Sequence, residues 1–324
     1  MYSYVDYGRL GALHGLDPYL RGPAAAPGDP AFAHVTWPHT PSAYGPLFTL
    51  ATYPLAWLPV GVAVYVLKAA SAAAVLAIAA LVARLAPARG IDPLRAAAFV
   101  ALNPLVLVHV VGGPHNDAFA ALLTTLGVAG VLTAREASAG ASLVAAVAIK
   151  ASAAVAAPFA LLGIASPTPT GLKPEPRSGF RPVGRLLAGA IAVVLVIGGV
   201  ACLGFGWHWL DAFGQASRNQ GHTSHLSIPT TLARVTGLGD NATRAAALLL
   251  YTALVAYLLA WTHRGGDWLR AAAWATTGLL LATAWLLPWY LLWPLPAAAL
   301  SRDRLLQCLL LVLTAYQLGA RIPL

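Results

Sequence analysis

Three polar residues, His115, Asn116 and Asp117, stand together where one apolar segment of the chain ends and the next begins. The Gly112–Pro114 sequence before them interrupts a helix, so the three side chains are predicted to share one turn at a membrane boundary. Asn116 or Asp117 could simply cap the following helix, whose positive end also favours an anion. Capping explains one polar residue better than three, and a carboxylate beside hydrocarbon is costly and usually serves a function. The turn is therefore a candidate site for chemistry.

Lys150 is the one basic residue placed deep within an apolar segment. A lysine flanked by about ten apolar residues on each side needs an anionic partner or loses its charge. A phosphate group would be a suitable partner, so Lys150 is a candidate for binding a phosphorylated ligand.

Two aromatic segments near the N-terminus and one polar loop hold further candidates. Asp17 and Tyr19 lie in Gly-Leu-Asp-Pro-Tyr, where Asp before Pro initiates turns, and a turn is favoured over catalysis for Asp17. Tyr44 lies in Pro-Ser-Ala-Tyr-Gly-Pro, and composition alone favours an interfacial aromatic anchor there. The His222–His225 segment, which contains Ser224, does not match a metal-ligand pattern, and polar lining is the favoured interpretation.

The composition places these residues in an integral membrane protein. Of the 324 residues, 59% are hydrophobic and 10% are charged, and the mean hydropathy is +0.71. This excludes an ordinary soluble domain, and the apolar runs are long enough to cross about 30 Å of hydrocarbon as helices. The predicted fold class is all-α, a polytopic bundle of membrane helices. The net charge of +9 is attributed to basic residues on the cytoplasmic side rather than to nucleic-acid binding.

The alternation of apolar and basic segments predicts four regions. They are an extracytoplasmic loop region at 1–45, an N-terminal transmembrane half at 46–164, a cytoplasmic linker at 165–182, and a C-terminal transmembrane half at 183–324 with an outer loop at 206–244. Residues 94–111, 268–286 and 288–300 are each predicted to be a span, and 141–164 a pair of half-spanning helices with Lys150 near their tip. Because the chain opens on a polar loop, a preceding transmembrane helix is predicted to be missing from the sequence.

Six motifs in one order resemble a known family. They are Tyr-Gly-Arg-Leu, Gly-Leu-Asp-Pro-Tyr, Pro-Ser-Ala-Tyr-Gly-Pro-Leu-Phe, Asn-Pro-Leu-Val-Leu-Val-His-Val-Val-Gly-Gly-Pro-His-Asn-Asp, Ile-Lys-Ala and Pro-Trp-Tyr-Leu-Leu-Trp, between Tyr2 and Pro296. The set resembles the actinobacterial polyprenol-phosphomannose-dependent α-(1→6)-mannosyltransferases of lipoglycan synthesis. The resemblance implies a GT-C glycosyltransferase in the cell membrane. Such an enzyme takes mannose from a polyprenyl-phosphate donor on the outer face and passes it, with inversion, to a lipid-linked mannan acceptor.

The resemblance also implies roles for the candidate residues. The family's catalytic aspartate lies immediately before the stretch that here begins at Met1, so either the chain is a clipped form, which we favour, or Asp6 has taken that role. Asp117 is the second candidate catalytic carboxylate. The predicted substrate-binding residues are Asp17, Tyr19, Tyr44, His115, Asn116, Lys150, Ser224 and Trp289. Lys150 would meet the phosphate, whereas Tyr44 and Trp289 would stack on sugar faces. Lys or Arg alone can stabilise a phosphate leaving group, so no metal and no other cofactor is predicted.

Two alternatives from other classes stay open. A lipid or polyprenyl-phosphate transporter would also use a buried lysine, but it predicts polar residues along a path through both leaflets. A clipped, inactive homologue with a structural role is the third possibility. The predicted partners are the polyprenyl-phosphate sugar donor, the lipid-linked oligosaccharide acceptor and the membrane, without nucleic acid.

Overall fold

The computed structural model describes residues 1–165, 180–219 and 221–321, and these residues form helices and loops without a β-strand. The all-α prediction is confirmed for this part of the chain. Its α-helices are α1 (Tyr2–Ala12), α2 (Pro46–Thr52), α3 (Val60–Leu85), α4 (Pro93–Ala101), α5 (Asp117–Leu132), α6 (Glu136–Val147), α7 (Ala157–Ala165), α8 (Phe180–Phe205), α9 (Asp211–Asn219), α10 (Ile228–Thr236), α11 (Asp240–His263), α12 (Trp268–Ala282), α13 (Leu295–Ala299) and α14 (Arg304–Gly319).

Three of these helices, α3, α8 and α11, are long and apolar enough to cross a membrane. A helix of 26 residues such as α3 extends about 39 Å, which exceeds the roughly 30 Å of a bilayer core. Much of the surface of α8 and α11 is apolar and exposed, including Leu203 and Leu249. An apolar exposed helix face is what lipid requires, so the chain is a membrane protein, as predicted.

Two predicted spans are not single helices, because proline and asparagine interrupt them. Residues 94–111 are predicted to be one span, but α4 ends at Ala101 and a separate π-helical segment occupies Val106–Val111. Pro104 has no N–H to continue the helix, and the Asn103 side chain accepts a hydrogen bond from the backbone N–H of Leu105 at 3.0 Å.

Residues 288–300 show the same effect. They contain a 3-10 helix over Pro288–Leu292 and the short helix α13, not one span. Pro288, Pro294 and Pro296 divide this stretch, since each proline removes a backbone donor.

Residues 1–45 contain a helix that the apolar periodicity did not indicate. The helix α1 has 11 residues, too few to span, and it buries Tyr4, Val5 and Leu10. A β-carbon added at Gly8 would lie 2.7 Å from the backbone oxygen of Thr52, and one added at Gly11 would lie 1.9 Å from the hydroxyl oxygen of Tyr53. Close packing against the chain at 52–57 stabilises a helix whose glycines have low helix propensity.

The two halves of the chain share one apolar core. Fully buried members of that core come from α3, α7 and α14 and from the loops between them, namely Ile78, Leu105, Phe159, Leu286 and Leu306. Ion pairs join Arg89 with Asp267 and Arg270 with Asp303. The predicted cytoplasmic linker at 165–182 lies almost wholly outside the described residues.

Candidate active site

The turn at 112–116 follows the π-helical segment and precedes α5. Asn116 occupies the N-cap position of α5, but no side chain there makes a capping hydrogen bond. The capping interpretation is therefore wrong for both Asn116 and Asp117. Asn116 instead accepts a hydrogen bond from the Tyr4 hydroxyl at 3.5 Å, and Asp117 is fully buried.

Asp117 and Lys150 form a buried ion pair. The Lys150 Nζ lies 2.7 Å from the Asp117 Oδ1, with side-chain exposures of 18% and 0% respectively. The Trp293 indole N–H donates to the same oxygen at 2.6 Å, whereas the Asp117 Oδ2 has no hydrogen-bond partner among the described residues. The lysine therefore has the anionic partner that its apolar surroundings require, and that partner is a protein carboxylate.

Aromatic rings also surround the Lys150 ammonium. It lies 4.6 Å from the ring centre of Tyr290 and 5.1 Å from that of Trp293. Cation–π attraction at these distances favours the charged form and fixes the position of Nζ. The lysine lies at the break between α6, which ends at Val147, and the 3-10 helix at Ala151–Ala156, which agrees with the break predicted within 141–164.

His115 lies between two aromatic residues of distant segments. Its Nδ1 is 3.3 Å from the Tyr4 hydroxyl, and its ring stacks on Trp289 with centroids 3.5 Å apart and planes at 13°. Burial, followed by the positive charge of Lys150, lowers the pKa of His115 well below its usual value. The imidazole in this turn is therefore neutral at pH 7.

These groups meet at one cavity of about 660 Å³, within the range of about 300–1,000 Å³ that is usual for small-molecule sites. The first half of the chain contributes Tyr4, Tyr44 and His115 to its wall, and the second half contributes an aromatic set after α12. That set is Trp285, Trp289, Tyr290 and Trp293.

The predicted site residues separate into three groups. Tyr44, His115, Lys150 and Trp289 line the cavity. Asn116 and Asp117 are fully buried beside it and touch wall residues. The rest of the predicted set is outside the wall, namely Asp6, Asp17, Tyr19 and Ser224.

Three of the residues outside the wall have structural contacts. Asp17 accepts a hydrogen bond from the Tyr19 backbone N–H at 2.8 Å, which is the turn that its Asp-Pro sequence favours. The Tyr19 hydroxyl lies 2.9 Å from the Thr49 hydroxyl. The Ser224 hydroxyl accepts from the backbone N–H of Leu226 at 3.3 Å.

Asp6 lies on α1 in a separate polar cluster with Arg9, His14 and Asp29. The residue is 1% exposed, and its Oδ2 has no hydrogen-bond partner among the described residues. Burial and then the nearby Asp29 charge raise the pKa of Asp6 to about 6. Asp29 is paired with Arg9 and His14, both at 2.8 Å. The two carboxylates of this cluster, Asp6 and Asp29, are buried, but Asp6 does not line the cavity.

Sequence reasoning missed Tyr4, Trp37, Trp285 and Trp293, which also line the cavity. A signal existed for two of them, because Trp285, Trp289 and Trp293 recur at intervals of four residues. No such spacing marks Trp37 or Tyr4. Among the described residues, no group of three or more His, Cys, Asp or Glu side chains is arranged to hold a metal ion.

The fold and cavity define a helical membrane protein with an aromatic, lysine-containing cavity. Residues 1–166 match the family described as "Alpha-(1->6)-mannopyranosyltransferase, N-terminal domain", and the chain belongs to this family. The resemblance seen in the motifs is therefore confirmed.

Individual relatives agree with the family match. The chain is 31% identical to Alpha-(1->6)-mannopyranosyltransferase A of Mycobacterium tuberculosis, over 92% of this chain and 60% of the relative. The protein of the same name from Corynebacterium glutamicum is 31% identical over 49% of this chain and 33% of the relative. A further alpha-(1->6)-mannopyranosyltransferase of M. tuberculosis is 30% identical over 92% of this chain and 61% of the relative. The chain thus spans about 60% of the length of the M. tuberculosis relatives. No solved structure matches it.

Proposed function

We propose that the chain is a GT-C-type mannosyltransferase of the cell membrane. It would move mannose from a polyprenyl-phosphate donor to a lipid-linked mannan acceptor, at the outer face and with inversion. The observation that carries this proposal is the cavity, in which the cation of Lys150 and several aromatic rings face one space. A lipid-linked sugar phosphate needs both, because its phosphate is anionic and its sugar ring has apolar faces.

Phosphate binding is assigned to Lys150. Its ammonium has three donors, and the Asp117 contact uses one of them. The remaining donors are available to a phosphate oxygen on the partly exposed side of Lys150. A fixed cation at this place would stabilise the charge that develops on the leaving group.

Asp117 is proposed to act through Lys150. Its carboxylate is fully buried behind the lysine and is held by Lys150 and Trp293. Asp117 therefore keeps Lys150 charged and oriented, and we call it a positioning residue. Asp6, which also lies outside the cavity wall, is assigned no contact with substrate.

Sugar binding is assigned to Trp289, Tyr44 and His115. Because His115 covers one face of Trp289, a sugar would stack on the other face. A general base works best with a pKa near the operating pH, so the low pKa of His115 suits it to orienting a hydroxyl group rather than to removing its proton.

The proposed reaction is a single displacement at the anomeric carbon. The acceptor oxygen attacks this carbon, the bond from the carbon to the phosphate oxygen breaks, and the phosphate leaves with the electron pair. The acceptor hydroxyl gives its proton to an oxygen of the departing phosphate, since Asp6, Asp117 and His115 are not assigned to remove it. Phosphate leaves as a stable anion, so no general acid is required.

The test uses vesicles that contain the full chain, radiolabelled polyprenyl-phosphomannose and an α-(1→6)-linked oligomannoside. We expect an oligomannoside one unit longer, with the new linkage read by NMR. Equal transfer by Lys150→Met and the wild type would contradict the phosphate assignment. Movement of polyprenyl phosphate across the vesicles without sugar transfer would contradict the enzyme and support the transporter.

A further inference from the structure

Three rings from separate segments meet where the cavity opens. The Trp37 and His222 ring centres are 5.4 Å apart, and those of His222 and Trp285 are 5.3 Å apart, with tilts of 48° and 53°. Trp37 is 47% exposed and His222 is also exposed. We call Trp37, His222 and Trp285 the rim cluster. Trp37 and Trp285 line the cavity, whereas His222 lies against both rings without lining it. The exposure of Trp37 and His222 places this cluster on the solvent-facing side of the cavity, unlike the fully buried Asp117.

Backbone hydrogen bonds hold the rim cluster in place. The Ser224 N–H donates to the Ala284 carbonyl at 2.8 Å and so joins the loop of His222 to that of Trp285. Near Trp37, the Ala24 N–H donates to the Pro38 carbonyl at 2.7 Å. The backbone segments that carry the rings are therefore held in place before any ligand arrives, which lowers the entropy cost of binding.

The chemistry at the rim fits a neutral, hydroxyl-rich ligand. Trp37 and Trp285 line the cavity together with Thr36, Ser217 and Asn219. Among the described residues of the cavity wall, Lys150 has the one charged side chain. Aromatic faces pack against the C–H faces of a pyranose, and hydroxyl and amide groups bind its hydroxyl groups. A phosphate would instead be drawn to Lys150.

Building on the proposed mannosyltransferase function, we propose that the rim cluster is a second sugar-binding subsite. It holds a mannosyl unit of the acceptor that lies one or more units away from the reacting hydroxyl. The rim cluster would thus favour longer acceptors over short ones, while the donor occupies the inner part of the cavity near Lys150.

The competing explanation is that Trp37 is an interfacial anchor in the membrane, as exposed tryptophans often are. Trp57 provides a matched control, because it is 67% exposed and is not part of the cavity wall. An anchor role predicts that Trp37→Ala and Trp57→Ala behave alike.

The experiment measures binding of α-(1→6)-linked oligomannosides of two to six units to the full chain in nanodiscs by titration calorimetry. We expect Trp37→Ala to weaken binding of the longest oligomer by about tenfold, with less than about a twofold effect on the disaccharide. Trp37→Phe, which keeps an aromatic face, should retain most of the affinity. The exposed His222→Ala variant gives an independent measurement and should show the same length dependence.

Three results would overturn the subsite. The first is that Trp37→Ala and His222→Ala bind long oligomers as the wild type does. The second is that these variants lose the same affinity for oligomers of every length. The third is that the wild type binds no oligomannoside. Length-dependent binding without mannosyl transfer would instead contradict the proposed enzyme function and still support the subsite. Normal mannosyl transfer, with an oligomannoside affinity that does not depend on length, would contradict the subsite alone.

Discussion

The decisive contact at the residue scale joins Asp117 with Lys150, which are 33 positions apart in the sequence. Sequence reasoning identified both residues but treated Asp117 as a candidate catalytic carboxylate and Lys150 as a cation for phosphate. The structure makes them one pair, in which the carboxylate is buried and the ammonium reaches the cavity. A single sequence does not show which polar residue neutralises which, because the pairing depends on how two distant loops meet.

Removing one partner of this pair should affect stability and transfer differently. Lys150→Met leaves the Asp117 charge buried without compensation, and we expect a loss of about 3–5 kcal/mol in the free energy of unfolding. The double variant Lys150→Met with Asp117→Asn should recover most of that stability but not transfer. Thermal unfolding and the transfer assay measure the two effects. Recovery of transfer in the double variant would show that Lys150 does not bind the phosphate.

The Asp6 cluster predicts a pH dependence of stability. Burial raises the pKa of Asp6 from its ordinary value of 3.8 to about 6, so the folded state holds this proton more tightly than the unfolded state. The protonated Asp6 carboxyl therefore adds to the free energy of unfolding fully below about pH 4, and this contribution is lost as the pH rises to about 6. Asp6→Asn should therefore exceed the wild type in stability at pH 7–8, by at most about 3 kcal/mol, with the advantage disappearing near pH 4.

Asp29 provides the opposite control. Burial alone would raise the pKa of Asp29, but hydrogen bonds from Arg9 and His14 and the Ala31 N–H hold it below its usual range. Its ionised form is therefore stabilising above about pH 4. Asp29→Asn should lower the melting temperature at neutral pH and lose that effect on acidification. Parallel pH profiles for the two variants would contradict this assignment of the cluster.

At the scale of elements, the sequence predicted the long apolar helices better than the short pieces. Hydropathy is summed over many residues in α3, α8 and α11, so a few exceptions do not matter. The breaks at Asn103 and in the 288–300 stretch depend on single residues, and apolar neighbours concealed them. Those breaks position His115 and Trp289, so the elements that were hardest to predict are the ones that form the site.

Gly45 links two such elements at close range. Its N–H donates to the Ile149 carbonyl at 3.0 Å, and the Leu47 N–H donates to the Ala148 carbonyl at 3.1 Å. A β-carbon at Gly45 would lie 2.1 Å from the Ala148 carbonyl oxygen, closer than atoms can approach.

Gly45→Ala should therefore displace the turn that carries Lys150. We expect transfer to fall at least about tenfold and the free energy of unfolding to fall by about 1–3 kcal/mol, as in overpacked cores. Gly28→Ala is the matched control, since nothing lies within 4 Å of a β-carbon there. Transfer assays and melting temperatures compare the two variants, and equal behaviour would mean that the turn position does not matter.

At the scale of the whole molecule, the cavity belongs to both halves of the chain. The match to the family's N-terminal domain ends at residue 166, yet Trp285, Trp289 and Trp293 complete the wall. The apolar core also passes between the halves without interruption. Composition predicted the membrane class, but the meeting of distant aromatic residues required the tertiary structure.

The shared core predicts that the halves associate without a covalent link. When residues 1–165 and 180–324 are produced together as separate chains, with a tag on the first, we expect both to co-purify in mild detergent. The first half produced alone should bind polyprenyl phosphate at least about tenfold more weakly, because the aromatic face around Lys150 is missing. Equal binding by the first half alone would mean that the second half contributes no essential wall.

The contact between residue 45 and the turn at 148–149 is made by main-chain atoms alone. Exchanges at Leu47, Ala148 or Ile149 to residues other than proline keep those peptide groups, whereas a side chain at Gly45 would collide with them. Most side chains around this contact can therefore be substituted during evolution while the Lys150 ammonium keeps its position. Homologues that share fewer than a third of their residues could in this way preserve one electrostatic centre.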